Sequence, residues 1–199
     1  MFYAAPVGQL SFYSAEARQP RVADLAGLLC GPGQAVGFGR GTAAKVSVEL
    51  AEPWRAHAVA LACAERGVQA EVSPTEDGRR LLRTAFRCDL APLATAWLRG
   101  TEKAVPEDLE LDGPALRIWA LTAGALETSG YLLGLDPLAP ETHPLLAAAL
   151  LRLGLAGHLL GVKAGGPALR FTGRRRLARL AELVGPTPVA AAQSFWPAA

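Results

Sequence analysis

Arginine is the side chain in this sequence best suited to bind something outside it. Of 20 basic side chains only three are lysine: Lys45, Lys103 and Lys163. A guanidinium is planar, always charged and forked, which suits phosphate. The stretch "GRRRLAR" (173–179) sets Arg174, Arg175 and Arg176 at a predicted helix start, with Arg179 one turn on. Cations are disfavoured at a helix N-terminus, so a bound phosphate would compensate them. Solvation of an exposed helix end accounts for them equally well. In "RLLRTAFR" (80–87) strand alternation puts Arg83 and Arg87 on one face and Leu82, Thr84 and Phe86 on the other. Lys163 and Arg170 fall on the corresponding strands of the second half, and Arg40 and Lys45 on the first hairpin. All of these are candidate phosphate contacts. Against them stand Glu49, Glu52, Glu71, Glu76 and Asp77, which place acid along the first half.

Other chemistry finds little support. His57, His143 and His158 have no partner at metal-ligand spacing. Ser129 lacks the frame of a hydrolase nucleophile. "GPGQAVGFGRG" (31–41) does not match a phosphate loop and reads as a tight hairpin. Cys30, Cys63 and Cys88 are scattered, as reduced core thiols of a cytoplasmic protein would be. The opening "MFYAAPVGQL" lacks the pattern of a signal peptide, and the apolar run 145–162 is broken by Arg152, His158 and glycines, so no membrane span is expected. A formal net charge of +2 does not by itself argue for nucleic acid. Arginine in place of lysine, with abundant Ala, Leu, Gly and Pro, fits a GC-rich genome; the absence of Asn and the single Met fit a thermophile. No cofactor is expected.

The elements that position these residues repeat. "DLAGLLCGPG" (24–33) and "ALTAGALETSG" (120–130) each begin as an apolar helix with Ala-Gly and close on a glycine. Gly27 and Gly124 are 97 residues apart, as are Gly33 and Gly130. "QAVGFG" (34–39) and "YLLGLD" (131–136) follow as strands. "KVSVEL" (45–50) alternates as a half-buried strand, whereas "PLAPETH" (137–143) is too rich in proline, so a strand there is expected to be short or missing. Helices are predicted over 53–67 and 144–154, each opened by Pro and stopped by Gly. Paired strands are expected in "VQAEVS" and "RLLRTAFR", and again in "AGHLLGVKA" and "PALRFTG". Closing helices over 90–100 and 174–185 are expected to take Gly100 and Gly185 as caps. Residues 101–114 read as an acidic linker between halves 1–105 and 106–199. Trp54, Trp97 and Trp119 read as packing residues, and Phe195 and Trp196 as cover for a surface patch.

This order of elements, with "LAGLLCGPG" (25–33) and "TAGALETSG" (122–130), resembles the LAGLIDADG homing endonucleases. The opening "LSFYSAEAR" (10–18) resembles the WhiA family of bacterial regulators, whose LAGLIDADG domain is degenerate. The resemblance implies an α+β fold: two αββαββα halves forming a pseudo-twofold saddle over DNA, with the motif helices packed at the centre. Ala26, Gly27, Ala123 and Gly124 would let those helices approach closely, with Glu127 a polar contact between the halves.

In the nucleases the acid before the final glycine binds the divalent metal. Here those positions read as Pro32 and Ser129, neither a useful metal ligand, so no catalytic or metal site is expected. Glu127 lies two residues earlier, about 200° round a helix. The resemblance implies a non-catalytic, WhiA-like DNA-binding or transcription-regulatory protein, with double-stranded DNA or a regulatory protein as partner. The sequence lacks the C-terminal helix-turn-helix domain of that family after residue 185, which leaves open a protein-interaction module that has lost DNA binding.

Overall fold

A computed structural model describes residues 13–197. The reading of the first ten residues lies outside them, as does the start of "LSFYSAEAR". A 3-10 turn (Val22–Leu25) runs into the short helix α1 (Ala26–Cys30), followed by β1 (Gln34–Phe38), β2 (Ala43–Leu50), α2 (Pro53–Ala64), β3 (Ala70–Pro74), β4 (Arg80–Thr84) and α3 (Ala91–Trp97). After a small hairpin, β5 (Leu98–Arg99) and β6 (Glu102–Lys103), the plan repeats. The second set is α4 (Gly113–Ala123), β7 (Gly124–Glu127), β8 (Gly130–Gly134), α5 (Thr142–Arg152), β9 (His158–Leu160), β10 (Ala168–Thr172) and α6 (Arg174–Val184). The sheets have the same antiparallel order, β1-β2-β4-β3 and β7-β8-β10-β9. Each is therefore an αββαββα unit, as expected.

The period differs from the sequence reading. The residue that leads from motif helix to first strand is Gly33 in one half and Gly124 in the other, an offset of 91 (124−33) rather than 97. "GALE" is the first strand of its sheet, not the end of a helix, and "YLLGLD" supplies the second strand. The Pro-rich stretch forms no strand, yet the sheet is complete. Ser129 lies in the β7–β8 turn, and the residue matching Pro32 is Ala123. The competing cue was the second glycine: Gly130 also closes an apolar run before a strand.

The centre of the molecule is the packing of α1 on α4. A Cβ on Gly27 would lie 2.1 Å from the Ala115 carbonyl oxygen and 2.8 Å from Ile118 Cβ, so only glycine permits this approach. Gly27→Ala would gain up to about 1 kcal/mol of helix propensity. It must also push backbone from backbone, and overpacking costs about 1–3 kcal/mol or more. A net loss of about 2 kcal/mol is expected in urea unfolding. Gly37→Ala, where no atom lies within 4 Å of the added Cβ, is the matched control.

Both ends of this helix pair are tied by charge. At the N-terminal ends, Asp24 is fully buried at the start of α1 and Asp112 caps α4 by accepting from Ala115 N (3.1 Å); Arg18 bridges the two carboxylates. Arg66 adds a bond to Asp24 at 3.1 Å. Acids at helix starts complement the macrodipole. At the C-terminal ends the signs reverse. Buried Arg55 donates to Ala120 O, Leu121 O and Gly124 O at the end of α4, and pairs with Glu52 at 2.6 Å. Lys103 donates to Gly31 O beyond α1 (2.8 Å) and to Asp136 Oδ2 (2.7 Å), which also accepts from Gln34 Nε2 (2.6 Å).

Helix α3 ends at Trp97, and Gly100 serves the β5–β6 turn with φ +66° rather than a cap. The supposed linker buries Lys103, Val105, Leu109 and Leu111. Cys30 and Cys63 are core thiols, and burial pushes the Cys63 thiol up to about 11, but Cys88 is exposed. Trp97 and Trp119 are fully buried; Trp54 stacks on Phe195 at 5.2 Å, so the C-terminal residues do cover a surface. Among the described residues no helix is long and apolar enough to cross a membrane.

Candidate nucleic-acid interface

Each sheet buries one face against the helices and leaves the other open. On β2, Ala44, Val46, Val48 and Leu50 are buried, so Lys45, Ser47 and Glu49 project from the open face. Register extends that face across the sheet. Gln34, Ser47, Arg83 and Glu71 form one row of the first sheet. Ala125, Leu132, Arg170 and His158 form the matching row of the second. Gln34 and Ala125 are again 91 apart (125−34), so Arg83 and Arg170 are pseudo-twofold equivalents.

Both arginines are held by acids. Arg83 Nη2 stands 3.6 Å from Glu71 Oε2. Arg170 Nε approaches Glu127 Oε2 to 2.8 Å as a charge contact, and its Nη2 donates to Ser129 Oγ at 3.2 Å. Glu127 is therefore not a contact between the halves; it lies on the open face because its segment is a strand. Glu49 is similarly engaged, 3.9 Å from Arg79. The centres of the two open faces carry balanced charge.

The remaining basic residues lie toward the outer ends. Arg40 sits in the β1–β2 turn at φ +58°, between Gly39 and Gly41. Lys45 Nζ lies 5.0 Å above the Phe86 ring, which itself stands 5.3 Å from Phe38. Arg174 and Arg175 are exposed at the start of α6, and Arg176 donates to Thr172 O at 3.2 Å. Lys163 is exposed in a 3-10 turn after β9 rather than on a strand.

Two candidates move off the face. Strand alternation fails after Thr84: Arg87, not Phe86, bridges Ala44, so one extra residue is inserted. Phe86 thereby emerges onto the open face, 45% exposed, while Arg87 turns into a bidentate pair with Asp89 at 2.9 and 2.6 Å. Arg179 pairs with Glu182 and borders a hollow with Tyr13, Glu110 and Arg152, on the helical side of the second half. Of the interface glycines and alanines, Gly27 meets α4 directly, Ala26 is buried and Ala123 lies against Gly31. Gly124 reaches the first half through its carbonyl, held by Arg55. Sequence reasoning missed Gln34, Arg55, Lys103 and Asp136. The signal available for Lys103 was weak: one lysine followed by the apolar residues Ala104 and Val105 in a supposedly solvated linker.

No protein-family model matches this sequence, and no curated protein matches it. Solved structures do match. The homing endonuclease I-WcaI, solved bound to its DNA recognition sequence, aligns over 89% of this chain and 86% of its own, with a TM-score of 0.68 at 13% identity. The homing endonuclease I-DmoI aligns over 84% of this chain and 99% of its own with a TM-score of 0.47, also at 13% identity. The fold is that of the LAGLIDADG homing endonucleases, a pseudo-symmetric α+β saddle built from two halves.

Proposed function

We propose that this chain is a non-cleaving LAGLIDADG-fold protein of the WhiA type, binding double-stranded DNA across its saddle in transcriptional control. One observation carries the non-cleaving part. The positions that would carry the metal-binding acids hold Pro32 and, in the register of helix and strand, Ala123 in place of the Ser129 that the resemblance assigns. The end of α1 is instead filled by the Lys103 ammonium, held on Gly31 O and Asp136. A hard divalent cation needs several carboxylate or other oxygen ligands. An alkyl ring, a methyl and a competing ammonium do not fit one.

DNA binding is supported by the fold likeness to an endonuclease solved on its DNA. Further support comes from Arg40, Lys45, Arg174, Arg175 and Arg176, whose charges stand at the outer ends of the two sheets. Because Arg83 and Arg170 are tied to acids, the centre contributes little, and binding should be of moderate affinity. Fluorescence anisotropy with a labelled random duplex across a salt series tests this. Binding below about 10 μM that weakens steeply with salt is expected, because several cations displace counterions from phosphates. Magnesium should leave the duplex intact. No binding at low salt would sink the DNA reading.

A second reading has its own observation. The pairs Arg83–Glu71 and Arg170–Glu127 neutralise the open faces, while Val36, Phe38 and Phe86 expose apolar surface. That surface suits a protein partner, and the module reading takes over if the duplex fails to bind.

A further inference from the structure

The outer end of the first sheet carries a feature that a regular duplex does not use. Phe38 is 64% exposed and Phe86 45%, with ring centroids 5.3 Å apart, both on the open face. Lys45 stands over the Phe86 ring, and Arg40 follows Phe38 by two residues in the left-handed turn. Among the described residues neither Lys45 nor Arg40 has an ion-pair partner. The pairs that neutralise this sheet lie elsewhere: Glu71 holds Arg83, Glu49 faces Arg79 and Asp89 holds Arg87. The result is a pair of exposed rings inclined at 45°, with one uncompensated cation over Phe86 and another in the adjoining turn.

A ligand that satisfies both parts has a flat apolar face and a negative charge within one residue of it. A nucleotide has that shape. Paired bases in a duplex stack on one another and offer no face to the rings, so the base must be unstacked. We propose that one unpaired base of a nucleic-acid strand stacks on the more exposed Phe38 with Phe86 against its edge, and that its neighbouring phosphates lie on Lys45 and Arg40. This rests on the DNA-binding reading and narrows it to duplexes carrying an extrahelical or unpaired base. Base–aromatic stacking is tolerant of base identity, so the preference is for structure rather than for sequence.

Anisotropy with two probes of equal length and salt tests it: a matched duplex, and the same duplex with one extrahelical 2-aminopurine. The bulged duplex is expected to bind about tenfold tighter, within the range of one base–aromatic stack. The aminopurine fluorescence should fall on binding as it stacks. Phe38→Ala with Phe86→Ala should abolish both the preference and the quenching, and leave matched-duplex affinity within about twofold. Phe38→Leu with Phe86→Leu keeps apolar bulk without a flat ring and should lose the preference too; unchanged thermal melting shows that these variants fold. Equal binding of the two probes, or a preference that survives either double variant, overturns the proposal while duplex binding still stands. Failure of both probes to bind removes this proposal together with the DNA reading on which it rests.

Discussion

Asp136→Ala is expected to melt roughly 10 °C below the parent protein. Asp136 and Lys103 are both buried, and their charges meet at 2.7 Å where the two halves join. Removing the carboxylate leaves an ammonium in a water-poor site with only Gly31 O as a described partner. It also leaves Gln34 Nε2 with only its 3.3 Å bond to Pro32 O and orphans the Leu138 amide, which donates to Asp136 Oδ1 at 2.9 Å. Breaking a buried pair from one side costs about 3–5 kcal/mol, and each kcal/mol lowers the melting temperature of a chain this size by about 2–4 °C. Burial already holds Lys103 below its ordinary value of 10.5, against the pull of Asp136. Without Asp136 it falls further. In the pH window below 10.5 the unfolded state then binds more protons than the folded one, so stability rises with pH there. The deficit of the variant should therefore shrink as pH rises toward 10.5, which thermal melts across the alkaline range would measure. Replacing both partners by apolar residues, Asp136→Leu with Lys103→Met, should recover most of the loss, because the uncompensated charge goes with the pair. A single variant that melts with the parent would show that the pair does not join the halves.

The same pair marks where sequence reasoning stops. Helix starts at Pro53 and close to Pro144, the alternation of β2 and the glycine at Gly185 are local signals, and the elements they announce are present, the helix at Pro144 beginning two residues early at Thr142. Ala123-Gly124 matches Ala26-Gly27 as a dipeptide, and that match gives the 97-residue period. The structure aligns Gly124 with Gly33 instead, since what repeats is the junction between helix and strand. Once that register slips, Glu127 and Ser129 change from helix to strand and turn, and Glu127 goes from the centre to the open face. Arg87 and Phe86 exchanged faces through one inserted residue, which no alternation rule anticipates. Lys103 and Asp136 are 33 residues apart, and nothing local announces that they meet. Charge pairing across a sheet, Glu71 with Arg83 or Glu127 with Arg170, likewise needs the strand order.

That cross-strand pairing yields the second large effect. Glu71→Gln and Glu127→Gln are each expected to raise duplex affinity about five- to tenfold at low salt, and together more. The exposed Arg83–Glu71 pair contributes only about 0.2–1 kcal/mol to stability, so Glu71→Gln costs the fold little; Arg170 Nε and Glu127 Oε2 are themselves buried, so Glu127→Gln costs somewhat more. What changes is the field above the saddle. Arg83 and Arg170 are equivalent across the pseudo-twofold, and each now spends its charge on a carboxylate rather than offering it outward. Freeing one arginine adds about one phosphate contact, which should steepen the logarithmic dependence of affinity on salt by nearly one unit. The carboxylate that disappears had also repelled the backbone. Arg83→Gln in the parent should then change binding little, but in the Glu71→Gln background it should remove the gain. That dependence distinguishes a released arginine from a general change in net charge, because a control off the sheets such as Glu107→Gln alters the net charge equally and leaves the open faces untouched. If Glu107→Gln raises affinity as much as Glu71→Gln does, the open faces of the sheets are not where this protein meets DNA.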